Sequence, residues 1–324
     1  MASSLDDLIH RADLDDLVRH VDAVCASRDW DELIRTRDKS RAAIDTGRQL
    51  WPIATLCNQR LALWAPPEYA VRALDDTARL FMPGPVSEIL AVHHNWESLA
   101  RYLPAGIDRS LFAYERALRG DVIAADEPAL LDIPVALSPW EPRYAVATYT
   151  DHSVDAPLPS LVVSSWHAIE SKPGESLTDV SVHSFRRMME PWTAGSQGTA
   201  RCVVVEGDLA AAIGALGVRN AEAATITAAD TLAVLAWAAG HGGAHGRRRG
   251  AASGRAEAWW WMAEFLGCDD NGAVAPDHFG DVLNTIECVM FRHEKTPTVG
   301  WGFSLAICDV DEGFSVALEA HDQA

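Results

Sequence analysis

A glycine- and arginine-rich segment, residues 240–255, has the residue types best suited to chemistry. It reads Gly-His-Gly-Gly-Ala-His-Gly-Arg-Arg-Arg-Gly-Ala-Ala-Ser-Gly-Arg. Glycines let backbone N–H groups approach a ligand, and arginines bind phosphate or carboxylate through paired donors. The segment therefore predicts a site for a small anionic ligand. Its candidate residues are His241, Gly243, His245, Gly246, Arg247, Arg248, Arg249 and Arg255.

Three structural explanations compete with a ligand site at the Gly/Arg segment, the name used below for residues 240–255. Its small residues could let two helices pack closely, its arginines could pair with the chain's own carboxylates, or it could form a mobile loop. The segment lacks the Gly-Lys-Ser/Thr ending of a P-loop. A predicted helix, not a strand, precedes it, which excludes a dinucleotide fingerprint.

Two further patterns near this segment suggest chemistry and have simpler explanations. His241 and His245 have the spacing of zinc ligands on a helix, but the intervening glycines disfavour a helix and no acidic residue lies between them. We therefore predict no metal site and no cofactor. The run Trp259-Trp260-Trp261 could stack a nucleobase, although three consecutive helical residues cannot share one face, and core packing is the simpler interpretation.

A second polar loop, residues 190–198, combines hydroxyl, amide and glycine groups. Its candidate ligand-binding residues are Trp192, Thr193, Ser196 and Gln197. The same residues could equally form a turn whose hydroxyls bond to their own backbone. Catalytic residues stay unassigned, because the chain has neither a Gly-x-Ser-x-Gly nor a Ser-x-x-Lys motif.

The pattern of helices and strands that the sequence predicts around these candidate residues indicates an α+β fold. Residues 1–120 alternate apolar periodicity with tight breaks, which indicates an irregular helical bundle or a helical-repeat-like domain. Its first helices are predicted to begin at caps formed by Ser4, Asp13 and Asp29, and later helices are predicted at 50–64, 69–81 and 86–103. Residues 121–198 are rich in proline and predict a linker that crosses between domains, with possible short strands near 144–149 and 161–163. Residues 199–324 predict a small mixed α/β domain.

Within this last domain, strands are predicted at 200–206, 223–226, 286–292 and 301–308, the last two possibly paired. A helix is predicted at 228–239, capped by Thr227, and a Trp-rich helix at 256–266. A final helix is predicted at 312–320.

Composition narrows the class of partners. The net charge of −19 disfavours nucleic acid and anionic membranes, and no apolar run is long enough to span a bilayer. Six widely spaced cysteines without a CxxC pattern predict free thiols in a reducing compartment. The first residues lack the pattern of a signal peptide, so we expect a cytoplasmic protein.

Several strings along the chain resemble a family of uncharacterised actinobacterial proteins. They include Gly47-Arg-Gln-Leu-Trp-Pro52, Pro191-Trp-Thr-Ala-Gly-Ser196 and Gly242-Gly-Ala-His-Gly-Arg-Arg-Arg-Gly250, of which the last is the most specific. The resemblance runs along essentially the whole chain. It implies one intact architecture in an actinobacterial cytoplasm and transfers no catalytic residue.

Three hypotheses for function follow. In the first, a binding or regulatory protein holds an anionic ligand at the Gly/Arg segment and contacts a protein partner through its helical half. In the second, an acidic scaffold, inhibitor or immunity-type protein binds a basic partner, and the arginines are structural. In the third, an enzyme acts on a phosphorylated or nucleotide substrate with His241 or His245 as general base.

Overall fold

The computed structural model describes residues 4–75, 82–268, 274–297 and 299–323. The chain has an α+β fold and divides into two compact units. The N-terminal unit comprises residues 1–127 and 147–155, and the C-terminal unit comprises residues 128–146 and 156–324. The proline-rich segment predicted as a linker thus contributes chain to both units.

The N-terminal unit is mainly helical. Its described helices are α1 Leu5–Arg11, α2 Leu14–Ser27, α3 Trp30–Asp45, α4 Trp51–Trp64, α5 Pro67–Ala70, α6 Val86–His93, α7 Trp96–Leu99 and α8 Ile107–Leu118. The described part of this unit also contains 3₁₀ turns at Val71–Asp75 and Ala100–Tyr102 and a two-stranded antiparallel ribbon, β1 Thr148–Tyr149 with β2 Val154–Asp155. The described helices range from four to sixteen residues, which favours an irregular bundle over a regular repeat.

Acidic and hydroxyl caps begin the first three helices as the sequence predicts. Ser4 and Asp7 form a capping box, and Asp13 and Asp29 accept bonds from backbone N–H groups in the first turns of α2 and α3. The helix predicted at 86–103 is instead two helices and a 3₁₀ turn, because Asn95 caps a new helix there. Part of the helix predicted at 69–81 lies outside the described residues.

A buried histidine makes the stability of this unit depend on pH. Burial, and next the neighbouring His93, lower the pKa of His94 below its ordinary value of 6.5. The unfolded chain therefore binds a proton more readily than the folded chain as the pH falls through about 6.5. His94 therefore does not destabilise the folded chain above that pH. Below it, proton binding by His94 in the unfolded chain lowers the free energy of unfolding.

We expect the urea midpoint of the full chain to fall between pH 7.5 and pH 5.5, and His94→Asn to reduce that fall. Tryptophan fluorescence at each pH measures it. His183→Asn, at an exposed position, is the matched control and should leave the decline unchanged. An identical pH dependence in the His94 variant would contradict this account.

The C-terminal unit is built on a six-stranded antiparallel sheet. The strands are β3 His167–Glu170, β4 Thr199–Glu206, β5 Asn220–Ile226, β6 Glu287–Arg292, β7 Trp301–Asp309 and β8 Phe314–Asp322. Their order across the sheet is β3-β5-β6-β7-β8-β4. The helices are α9 Val180–Met188, α10 Glu190–Thr193, α11 Leu209–Ala215, α12 Ala228–His241, α13 Ala251–Phe265 and α14 Pro276–Leu283.

Helices cover both faces of this sheet. On one face, α11 buries an apolar cluster that includes Ile213, Ala306 and Ala317. Phe303 points to the opposite face, where its ring packs against Phe185 of α9 and Trp192 of α10. The sheet is therefore the middle layer of the unit. None of the helices in the described ranges has the length and apolarity that crossing a bilayer requires.

Three local predictions are wrong here. The helix predicted at 312–320 is strand β8, because pairing with β7 and β4 on both sides outweighs the helix propensity of its Ala, Leu and Glu residues. The strand predicted at 161–163 is absent, and the edge strand follows at 167–170. Helices α9 and α10 lie in the predicted linker, because residues 174–190 contain no proline and Pro191 sits in a first helical turn, where it is tolerated.

Candidate functional site

The Gly/Arg segment is partly helix and partly loop. Helix α12 ends at His241, residues 242–250 form a loop, and α13 begins at Ala251. Gly254 and Gly240 lie at the contact between the two helices: a Cβ at Gly254 would overlap the carbonyl oxygen of Ala236. These glycines support the explanation that small residues allow two helices to pack closely.

Arg255 has a structural environment. Its side chain is fully buried, and its guanidinium makes two bonds of 2.7 Å to the two carboxylate oxygens of Glu141. It also donates to the carbonyl of Pro134 at 2.8 Å. The Glu141 carboxylate accepts further bonds from the Tyr144 hydroxyl at 2.7 Å and the Trp259 indole at 3.1 Å. This network ties residues 134–144 to α13.

The other arginines of the segment are spread over different environments. Arg249 lies 3.6 Å from the carboxylate of Glu190, and Arg248 is buried. Arg247 and His245 are exposed. The structure therefore does not aim the four predicted arginines at one point. The prediction of a ligand at this segment stays a prediction.

The two predicted loops meet around Asp322, near the end of β8. The Ser196 hydroxyl donates to one oxygen of this buried carboxylate at 3.0 Å, and the Ala244 N–H donates to the other at 2.5 Å. A Cβ at Gly243 or Gly246 would overlap Asp322 or the Pro191 carbonyl, so both positions require glycine. The Gly/Arg segment thus holds a carboxylate, and that carboxylate belongs to the chain itself.

The remaining residues of the second loop divide between core and surface. Trp192 is fully buried and donates its indole N–H to the Ala238 carbonyl at 2.9 Å. Thr193 and Gln197 are exposed. The His241 ring lies among three indoles, with ring centroids at 4.9 Å from Trp237, 5.6 Å from Trp301 and 6.3 Å from Trp192.

The three consecutive tryptophans anchor α13 in three directions. Trp259 donates to Glu141, Trp260 to the Leu131 carbonyl at 3.3 Å, and Trp261 to the Ser181 carbonyl at 2.9 Å. Trp259 and Trp261 are buried. These contacts favour core packing over a platform for a nucleobase.

A cleft of about 930 Å³ on the C-terminal unit holds a second group of basic side chains. We call it the basic cleft, and its basic residues are Arg201, Arg219, Arg292, His293 and Lys295. Two carboxylates, Glu222 and Glu294, also line it. Four Arg or Lys side chains against two carboxylates make this cleft locally positive in a chain whose net charge is −19.

The basic side chains of the cleft differ in how far they are neutralised. Arg292 pairs with Glu222 at 2.6 Å, and Arg201 lies 3.3 Å from Glu319. Arg219 and Lys295 are exposed and pair with no carboxylate in the described part of the chain. The antiparallel sheet brings these residues together from β4, β6 and the turns beside them. Two cations of the cleft are therefore open to an external anion.

A buried carboxylate adjoins the cleft. Glu319 on β8 lies 2.8 Å from His293 and 3.2 Å from His321, both through Nε2 to the same oxygen. Burial by itself would raise the pKa of Glu319, but the two imidazoles outweigh burial and lower the pKa to about 2. Glu319 therefore stays ionised and orients the imidazole that faces the cleft.

Neither a metal nor a cysteine nucleophile is supported here. Among the described residues, no three His, Cys, Asp or Glu side chains are arranged to hold a metal ion. All six cysteines are buried free thiols. Burial raises the pKa of the Cys25 thiol to about 11 and of the Cys288 thiol to about 12, which disfavours the reactive thiolate.

Sequence reasoning missed the basic cleft because its residues come from distant parts of the chain. A signal existed: one of only three lysines follows Arg292-His293-Glu294 directly. That string lies between two predicted strands, a position where loops often carry function. Glu319 was missed because it was assigned to a helix.

The fold and the cleft together define an α+β protein whose antiparallel sheet carries a positively charged cleft. The chain belongs to the family of unknown function DUF6183, whose model matches residues 15–290. No curated protein and no solved structure matches it.

Proposed function

We propose that this protein binds a small ligand carrying phosphate or carboxylate groups, and that the ligand occupies the basic cleft. The observation that carries the proposal is the exposed pair Arg219 and Lys295 in a concave site of an otherwise acidic chain. The positive electrostatic potential is concentrated in such a cleft, and it attracts anions. Its volume of about 930 Å³ lies within the range of small-molecule sites, about 300–1,000 Å³.

The Gly/Arg segment is the competing location for the same ligand. In that segment, the buried Arg255 already neutralises Glu141, and the backbone N–H of Ala244 already donates to Asp322. These internal partners support structural arginines, and they are the reason we place the ligand in the basic cleft.

A charge-reversal experiment distinguishes the two locations. We expect inorganic phosphate or succinate to bind the wild-type chain in isothermal titration calorimetry at low ionic strength. The double variant Arg219→Glu/Lys295→Glu should weaken binding at least tenfold, because it replaces two attractive charges with two repulsive ones. The matched control is Arg247→Glu, an exposed arginine of the Gly/Arg segment, which should leave binding unchanged.

The opposite pattern, with binding lost in Arg247→Glu and kept in the double variant, would place the ligand at the Gly/Arg segment. Absence of binding by the wild-type chain to either anion would refute the proposal.

An interaction protein that binds a basic partner is the second candidate. The net charge of −19 and the internally paired Arg249 and Arg255 favour it. In the helical half, Leu14 and Val18 are exposed one turn apart on α2, which suits contact with a protein partner.

An enzyme with His241 or His245 as base is the third candidate, and turnover lost in His245→Ala with binding kept would support it.

The proposed setting is an actinobacterial cytoplasm. Six unpaired cysteines support a reducing compartment, and three lysines against 24 arginines suit a GC-rich genome.

A further inference from the structure

An aromatic pocket of about 190 Å³ adjoins the basic cleft. Its lining includes Trp166, Phe291, Pro297, Trp301 and Phe303. Whole-ligand sites usually measure about 300–1,000 Å³, so this pocket holds a fragment of a ligand. Trp166 and Trp301 are the half-buried aromatic residues of this lining. They favour a planar ring as that fragment, because rings stack on indoles in offset geometry.

Two polar side chains also line the pocket. Ser304 is buried, and its hydroxyl has no hydrogen-bond partner within the described ranges. His321 also lines the pocket, and its Nε2 lies 3.2 Å from a carboxylate oxygen of Glu319 without a hydrogen bond of good geometry in the described ranges. A buried hydroxyl without a partner costs free energy, so its retention points to a group that bonds to it when the pocket is filled. The pocket therefore suits a ring that carries hydrogen-bonding atoms.

The pocket and the cleft share a lining residue. Arg292 lines both, and its guanidinium lies 4.4 Å above the Trp166 ring. Glu319 contacts His293, which lines the cleft, and His321, which lines the pocket. A ligand with an anionic group in the cleft and a ring in the pocket would contact both imidazoles of one carboxylate.

We infer that the ligand of the basic cleft is a planar aromatic ring bearing an anionic group, in the manner of a nucleoside monophosphate, with its ring between Trp166 and Trp301. This inference rests on the proposed function and names the class of ligand. The phosphate neutralises Arg219 and Lys295, and the ring accepts or donates a hydrogen bond at Ser304.

Matched ligands test the contribution of the ring. The probes are the four common nucleoside 5′-monophosphates and phenyl phosphate, compared by calorimetry with ribose 5-phosphate, which lacks the ring. We expect at least one ring-bearing probe to bind at least tenfold more tightly than ribose 5-phosphate. Trp166→Leu should remove that advantage, and Ser304→Ala should reduce it severalfold for nucleotides. The control Trp64→Leu, an exposed tryptophan of the N-terminal unit, should change nothing.

The binding results distinguish the ring pocket from the anion site. Equal binding of all probes and ribose 5-phosphate overturns the ring inference and leaves the anion site standing. Binding of none of them overturns both. Tighter binding of a ring-bearing probe that survives both Trp166→Leu and Ser304→Ala also overturns the inference, because the ring then binds elsewhere.

Discussion

Replacing Arg255 by Met should lower the free energy of unfolding by about 3–5 kcal/mol, the usual cost of removing one partner of a buried ion pair. The substitution leaves the Glu141 carboxylate buried without its cation and deprives the Pro134 carbonyl of its donor. Urea unfolding followed by tryptophan fluorescence measures the loss. Arg247→Met, an exposed position in the same segment, should cost less than about 0.5 kcal/mol.

A double variant separates the loss of stability caused by the unpaired carboxylate from the loss caused by the smaller side chain. Arg255→Met combined with Glu141→Leu removes both charges, and we expect it to recover most of the stability lost in the single variant, since apolar replacements of buried pairs are often neutral. A single variant as stable as the wild type would show that the pair contributes nothing. It would also reopen the assignment of Arg255 to a ligand.

The second large effect is expected at Glu319. A pKa of about 2 in place of 4.5 corresponds to roughly 3 kcal/mol of stability. Because the pKa is lower in the folded chain, this stability is present above pH 4.5 and is lost as the pH falls towards 2. Glu319→Gln should therefore cost roughly 2–3 kcal/mol at pH 7 and flatten the pH dependence below 4.5.

Acid-unfolding curves between pH 6 and pH 2, recorded by circular dichroism, measure this effect. Glu222→Gln is the matched control: its carboxylate pairs with Arg292 but is half exposed, and exposed pairs contribute about 0–1 kcal/mol. A Glu319 variant whose curve coincides with that of the wild type would mean that the two histidines do not stabilise the carboxylate.

Much of the helical N-terminal unit was predictable from local patterns. Caps at Ser4, Asp13 and Asp29 are short-range hydrogen bonds, and the helix 51–64 ends before Pro66-Pro67. Strands rich in β-branched residues, such as 199–206, were also predictable. These features depend on neighbours within a few positions.

Of the candidate residues, the sequence identified the Gly/Arg segment and the loop at 190–198 but not their relation. Their meeting at Asp322 joins positions more than seventy residues apart. The basic cleft likewise requires strand order, since Arg201 reaches Glu319 only because β4 pairs with β8. No local sequence pattern predicts the order of the strands in the sheet.

The sequence by itself determined the α+β class, the acidic character, the free cysteines and several helix boundaries of the N-terminal unit, because composition and short-range bonds decide them. The tertiary structure alone decided that residues 314–322 form a strand, that Arg255 neutralises Glu141, and which cations line a common cleft. The physical reason is that pairing energy and burial depend on distant partners, and these outweigh local propensity wherever the two disagree.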